Sequence, residues 1–119
     1  MKTAPRKAVG FTLIEIMFVV AVFGILVLIA IPIFMKARHA SERNSCIANL
    51  KQLDSAITVW AMEARKSVGS AIDSSAFIGG TNYLRQMPKC GGGGTYSFAT
   101  VGAIPQASCS LADQGHALP

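Results

Sequence analysis

Apolar and polar residues are divided unevenly along this 119-residue chain. After a short basic start, Gly10 to Met35 reads GFTLIEIMFVVAVFGILVLIAIPIFM, and from Ile16 onward twenty consecutive residues carry no charge. At about 1.5 Å of rise per residue, that run spans roughly the 30 Å hydrocarbon core of a bilayer. It predicts a membrane-spanning helix. Beyond Lys36 the pattern takes on a helical period: Cys46, Leu50, Leu53, Ile57, Trp60 and Ala64 recur at spacings of three and four, with Glu42, Asn49, Gln52, Ser55 and Lys66 on the other faces. Arg65 and Lys66 suit the negative end of a helix dipole, and Gly69 follows them. One helix from Phe11 to Lys66, about 84 Å long, is therefore predicted.

The remainder has shorter signals. Serines and glycines from Ser67 to Gly80 mark a loop with one helical turn around Ser74 to Phe77. TNYLRQMPKC is an irregular or short helical piece ended by Pro88. Thr95 to Val101 alternates Tyr96 and Phe98 with smaller residues and predicts a strand; Gly102 and Pro105 bracket a turn, and Gln106 to Ser110 returns as its partner. The expected class is α+β: a transmembrane segment over 11–35, an amphipathic stalk over 36–66, and a small head over 67–119 containing a β-hairpin. The head has no other hydrophobic partner, so it is expected to cover the Cys46 to Trp60 face.

Composition adds a constraint. About eighty residues lie outside the apolar run and its leader, too few for a large core without a long helix, a disulfide or neighbouring subunits. Self-association follows. The net charge of +5 is less informative than it looks, because Lys2, Arg6 and Lys7 supply three of the 11 lysines and arginines, and six acids oppose the rest. Such a balance gives little support to a dedicated nucleic-acid surface. Lys36, Arg38 and Arg43 follow the apolar run with only Glu42 against them, so charge alone does not orient the segment. His39, beside Arg38, is expected to be solvated.

Cys90 and Cys109 flank the predicted hairpin, and a disulfide closing that loop of about twenty residues would contribute roughly 3 kcal/mol in an oxidising compartment. Cys46 is then a buried thiol on the stalk, although sequence leaves the other pairings open. Cys90, Cys109 and His116 lack paired short ligand spacing, so neither a metal site nor any other cofactor is expected. The four glycines after Cys90 are followed by no Gly-Lys-Ser/Thr and by a strand, which excludes a phosphate loop and suggests a flexible approach to the hairpin. Asp73 and Asp113 are the only acids of the head, and no nucleophile with an activating base is evident. The chain is not expected to be an enzyme.

One residue in the apolar run demands an explanation. Glu15 is a carboxylate among side chains suited to lipid, disfavoured by about 2.5 to 3.5 kcal/mol on insertion scales. A secretory signal would have a shorter apolar region and a small-x-small site after it, whereas MKARHASERN offers none. The break falls earlier, at RKAVG/FTLIE, where Gly10 has no side chain to keep the peptide out of a protease cleft. Lys7, Gly10, Phe11, Thr12, Leu13, Ile14 and Glu15 resemble the leader and cleavage site of type IV prepilins and type II secretion pseudopilins, and the likeness continues from about Arg6 to Pro32.

The resemblance implies a leader of residues 1–10, cut after Gly10 by prepilin peptidase, with N-methylation of Phe11. It implies that Glu15 neutralises the N-terminal amine of a neighbouring subunit and so sets register in a filament. Two charges that are costly singly in lipid are tolerable together. Gly24 and Pro32 would let the helix between them lose order on packing. The implied setting is a single pass through a bacterial inner membrane, then a periplasmic or extracellular filament built by an assembly ATPase and platform protein. Major pseudopilins of this kind often hold calcium on C-terminal carboxylates, and a chain with only Asp113 late in its sequence leans toward a pilus. Two other functions fit the residues: a minor pilin whose head engages nucleic acid or a surface through Arg85, Lys89, Tyr83 and Tyr96, or a single-pass membrane protein that never polymerises.

Overall fold

The computed structural model describes residues 10–119, so the expected leader, apart from Gly10, lies outside the described residues. The elements are a helix α1 (Leu13–Glu63), a short helix α2 (Ser74–Phe77), strands β1 (Tyr96–Phe98) and β2 (Ala107–Cys109), and a 3₁₀ turn at Ala112–Gln114. This is the α+β arrangement expected, and Ser74 to Phe77 is the helical turn predicted there.

Local chemistry sets both ends of α1. At its start, the Thr12 hydroxyl accepts a hydrogen bond from the Glu15 N–H at 3.3 Å, and the Thr12 carbonyl accepts from the same N–H at 3.2 Å. Thr-x-x-Glu is the sequence of a capping box, and it begins the helix at Leu13, not at Phe11 as periodicity suggested. At its other end, Lys66 N–H donates to the Ala61 carbonyl at 2.9 Å and Arg65 N–H to the Met62 carbonyl at 3.3 Å. These are the two bonds of a Schellman motif, with Arg65 in the left-handed position at φ 49°. The helix therefore stops at Glu63, and Arg65 and Lys66 lie beyond it. Lys66 instead places its ammonium 5.8 Å from the centre of the Trp60 ring.

The described residues divide into two compact units, one ending at Lys36 and the other spanning Ala37–Pro119. In the first, every described residue is exposed, including the whole apolar run. Gly24 and Pro32 both lie within α1. A Cβ at Gly24 would meet nothing within 4 Å, so no contact among the described residues requires glycine there.

The second unit contains the core. Cys46, Leu50, Leu53, Ala56, Ile57, Trp60 and Ala61 form the buried face of α1, covered by Phe77, Leu84, Cys90, Val101, Ala107 and Cys109. The expected face is correct except at Ala64, which is exposed because the helix has ended before it. Phe77 is held at the centre by α2, whose N-cap Asp73 accepts from the Ser75 N–H at 3.0 Å. Its ring lies 6.0 Å from Trp60 and meets Phe98 edge-on at 5.5 Å. The segment after α2 is irregular, tied back by the Gly79 N–H to the Leu84 carbonyl at 2.7 Å.

The hairpin pairs Tyr96 with Cys109, Ser97 with Ser108 and Phe98 with Ala107, antiparallel. It is fastened to α1 by the buried Gln106, whose amide donates to Asp54 Oδ1 and Thr58 Oγ1, each at 3.2 Å, while its carbonyl accepts from the Gly102 N–H at 3.3 Å. All the polar groups of that side chain are used, as burial requires. The glycine run before β1 is packed, contrary to the flexible approach expected. A Cβ on Gly91 would come 3.3 Å from the Glu42 Cα, one on Gly92 3.0 Å from His116 Cε1, and one on Gly94 2.6 Å from Cys109 Sγ.

Two stability changes follow, both measurable by unfolding the full chain in detergent with its single tryptophan, Trp60, as the fluorescent probe. Arg65→Gly should stabilise the fold by up to about 1 kcal/mol, because glycine takes the left-handed position without a Cβ clash. Gly94→Ala should destabilise it by about 1–3 kcal/mol, since the new methyl overlaps a buried sulfur.

Candidate functional site

Two regions carry chemistry. The first is the start of the apolar helix. Gly10, Phe11 and Glu15 are all exposed, and a Cβ at Gly10 would meet nothing within 4 Å. No described residue inside the chain therefore demands glycine at that position. The backbone N–H groups of the first helical turn point toward the N-terminal end, where they favour negative charge. Glu15 sits in that turn as its only acid. Its backbone is engaged by Thr12, and no described side chain forms an ion pair with its carboxylate. The helical part from Leu13 is long and apolar enough to cross a membrane, and none of its most apolar window is buried.

The second region lies in the core. Cys46 projects from α1, Cys90 precedes the glycine run, Cys109 ends β2, and His116 follows the 3₁₀ turn. Gly115, left-handed at φ 85°, turns the chain so that the His116 N–H reaches the Leu111 carbonyl at 3.3 Å. The three sulfurs and a ring nitrogen of His116 lie within 4.8 Å of one another, and all four residues are buried. Cys90 Sγ is 3.3 Å from His116 Nδ1. The Tyr96 hydroxyl donates to Cys46 Sγ at 3.5 Å and accepts from the Asn49 amide at 3.1 Å; that amide also donates to the Lys89 carbonyl at 2.9 Å.

The thiols differ electrostatically. Burial pushes Cys46 up to about 12, and the Tyr96 hydrogen bond only partly offsets it. Burial also opposes ionisation of Cys90, but hydrogen bonds from Cys46, from the Gly94 and Gly92 N–H groups and from His116 outweigh it and bring Cys90 down to about 7. Burial, followed by the Cys46 contact, raises Tyr96.

The disulfide expected between Cys90 and Cys109 is not formed in this structure, where all three cysteines are free. The strand register, which pairs Tyr96 with Cys109, turns the Cys109 sulfur toward the same core as Cys46. Cysteines and histidine that showed no ligand spacing in sequence are thus brought together by tertiary packing. Their signal was the odd cysteine number and a glycine run directly after Cys90, where backbone must pass close to sulfur. Tyr96 turns its hydroxyl inward, which removes it from the basic aromatic surface considered with Tyr83, Arg85 and Lys89. Tyr83 instead donates to the Glu63 carboxylate.

Comparison with known proteins places the N-terminal region. Residues 6–31 match the family model described as the prokaryotic N-terminal methylation motif. Over 49 residues the chain is 53% identical to the type IV major pilin protein PilA of Myxococcus xanthus, a stretch that is 41% of this chain and 22% of that pilin. It is 25% identical over 105 residues to the type II secretion system core protein G of Klebsiella michiganensis, covering 78% of this chain and 74% of the relative. Core protein G of Pectobacterium carotovorum is 30% identical over 54 residues, covering 45% of this chain and 35% of that protein. The chain thus spans under a quarter of the pilin's length and most of the Klebsiella protein's. No solved structure matches it. An exposed apolar helix, its capped start with Glu15 and these matches agree: the chain carries a match to the N-terminal methylation motif over residues 6–31 and is similar to a type IV major pilin and to type II secretion core proteins.

Proposed function

We propose that this chain is a filament subunit of a type IV pilus or type II secretion pseudopilus, cut after Gly10, N-methylated at Phe11 and assembled through its apolar helix. The observation that carries this reading is the combination of a fully exposed apolar run with one carboxylate, Glu15, that no described side chain pairs, four residues after the expected new terminus. Copies of the same helix can cover that apolar surface. A neighbour's Phe11 amine can neutralise Glu15, one turn along the same face as its own Phe11. A charge pair in lipid is retained where each charge alone is disfavoured, so the acid favours one axial register over others.

Before assembly the apolar run is held in the bacterial inner membrane, where the peptidase, the platform protein and the ATPase act on it. Gly24 and Pro32 give the helix places to loosen as it packs: proline removes the N–H that would bond the Leu28 carbonyl. Membrane lipid is the first partner and other subunits are the second. The likeness to core protein G runs through most of the chain, which favours the pseudopilus over the pilus suggested by the lack of late carboxylates.

The test is replacement of Glu15 by glutamine. Glu15→Gln should leave membrane insertion and cleavage intact while lowering the yield of sheared filaments at least tenfold, a factor that corresponds to about 1.4 kcal/mol of lost subunit attraction. Gly10→Leu should leave the leader uncut, with Met1 retained in the mass spectrum. Normal filament yield from Glu15→Gln would remove the register role, and an intact Met1 in the unsubstituted protein would remove the processing step.

A further inference from the structure

We infer that Cys46, Cys90, Cys109 and His116 form a structural zinc site that fastens the C-terminal segment to the long helix. The four donor atoms converge within 4.8 Å of one another. A tetrahedral zinc ion with Zn–S near 2.3 Å and Zn–N near 2.0–2.1 Å holds its ligand atoms about 3.5–3.8 Å apart, so a contraction of at most about 1.3 Å from the 4.8 Å limit closes the site. Three thiolates and one imidazole are one of the standard structural zinc sets, and soft sulfur donors disfavour calcium or magnesium. With four protein ligands, all buried, no coordination position is left for substrate. The site is closed and non-catalytic.

The surroundings fit a metal better than a disulfide. A disulfide would use two sulfurs and leave a third thiol and an imidazole packed against it. A metal engages all four. The glycine run is shaped to the cluster: Gly93 N–H turns back to the Cys90 carbonyl at 3.0 Å, with Gly93 left-handed at φ 82°. Gly94 passes so close to Cys109 Sγ that a Cβ there would collide at 2.6 Å, and a Cβ on Gly92 would press on His116 at 3.0 Å. Tyr96 directs its hydroxyl at Cys46 Sγ and is itself held by Asn49, which gives that sulfur a fixed outer partner of the kind that orients metal ligands.

The ligands come from four separate segments: the helix, the loop before β1, the end of β2 and the tail after the 3₁₀ turn. One ion would therefore cross-link most of a unit too small to be stabilised by its core alone. On binding, three S–H bonds break, three Zn–S bonds and one Zn–N bond form, and the three protons pass to solvent. No electrons are transferred.

The experiment uses the full chain, purified from membranes in detergent without chelator, with metal content read by elemental mass spectrometry. About one zinc per chain is expected, as for a single four-ligand site. Exchange for cobalt(II) should give the visible bands of a tetrahedral thiolate complex. Cys46→Ser and His116→Ala should each lose the bound zinc, whereas His116→Cys should keep it by making a four-cysteine set. Cys46→Ser separates the alternatives, because a Cys90–Cys109 disulfide would survive it. The inference is overturned if the unsubstituted chain, expressed with added zinc, carries none above the buffer blank, and whether its cysteines are then found free or bridged by peptide mapping makes no difference. If the variants fail to fold, the zinc content and cobalt spectrum of the unsubstituted chain decide. Metal content is read on the unassembled chain, so a negative result leaves the filament reading standing.

Discussion

The long helix carries more apolar surface than the rest of the chain can cover. From Leu13 to Met35 its side chains are exposed on every face, while from Cys46 to Ala61 one face is buried beneath the C-terminal residues. A helix that is hydrophobic all round needs lipid or other helices as its surroundings; a helix with one apolar stripe needs only a small cap. The two halves of α1 therefore belong to different solvents. The first half is long and apolar enough to cross a membrane, and the second carries the buried core.

The second half meets its requirement with little material. A two-stranded hairpin is marginal alone, and here it is made stable by Gln106 clasping Asp54 and Thr58, and by Phe77 wedged between Trp60 and Phe98. Polar groups buried in this way add direction to a core that hydrophobic contact alone would leave free to slide. The cysteine and histidine cluster lies in that same core. Its convergence is a property of the hairpin register and of the glycine run, which lets backbone approach sulfur closely.

Glu15 engages the helix start through its backbone and leaves its side chain exposed. Its backbone N–H is taken by Thr12, which starts the helix; its carboxylate remains free of any described ion pair. A residue that served only to cap its own helix could equally be glutamine, which also satisfies the capping-box pattern. A charge at that position is a cost in lipid that a cation brought alongside would lower.

Much of this was legible in the residues, because the deciding interactions are local. The twenty uncharged residues determined a spanning length, the three-and-four spacing of Cys46, Leu50, Leu53, Ile57 and Trp60 determined the buried face, and the Tyr96–Phe98 alternation determined a strand. Helix ends were less legible: Thr12 and Glu15 were in plain view as a capping pair, but Arg65 in a left-handed position carries no sequence signal when glycine is the usual occupant. The meeting of Cys46, Cys90, Cys109 and His116 was decided by tertiary structure alone. Ligand spacing is readable only when neighbours in sequence share one turn, and here each donor comes from a different segment. Sequence determined where this protein is apolar and where it is charged; the fold determined which sulfurs meet, since only packing against α1 sets the register that turns them toward one point.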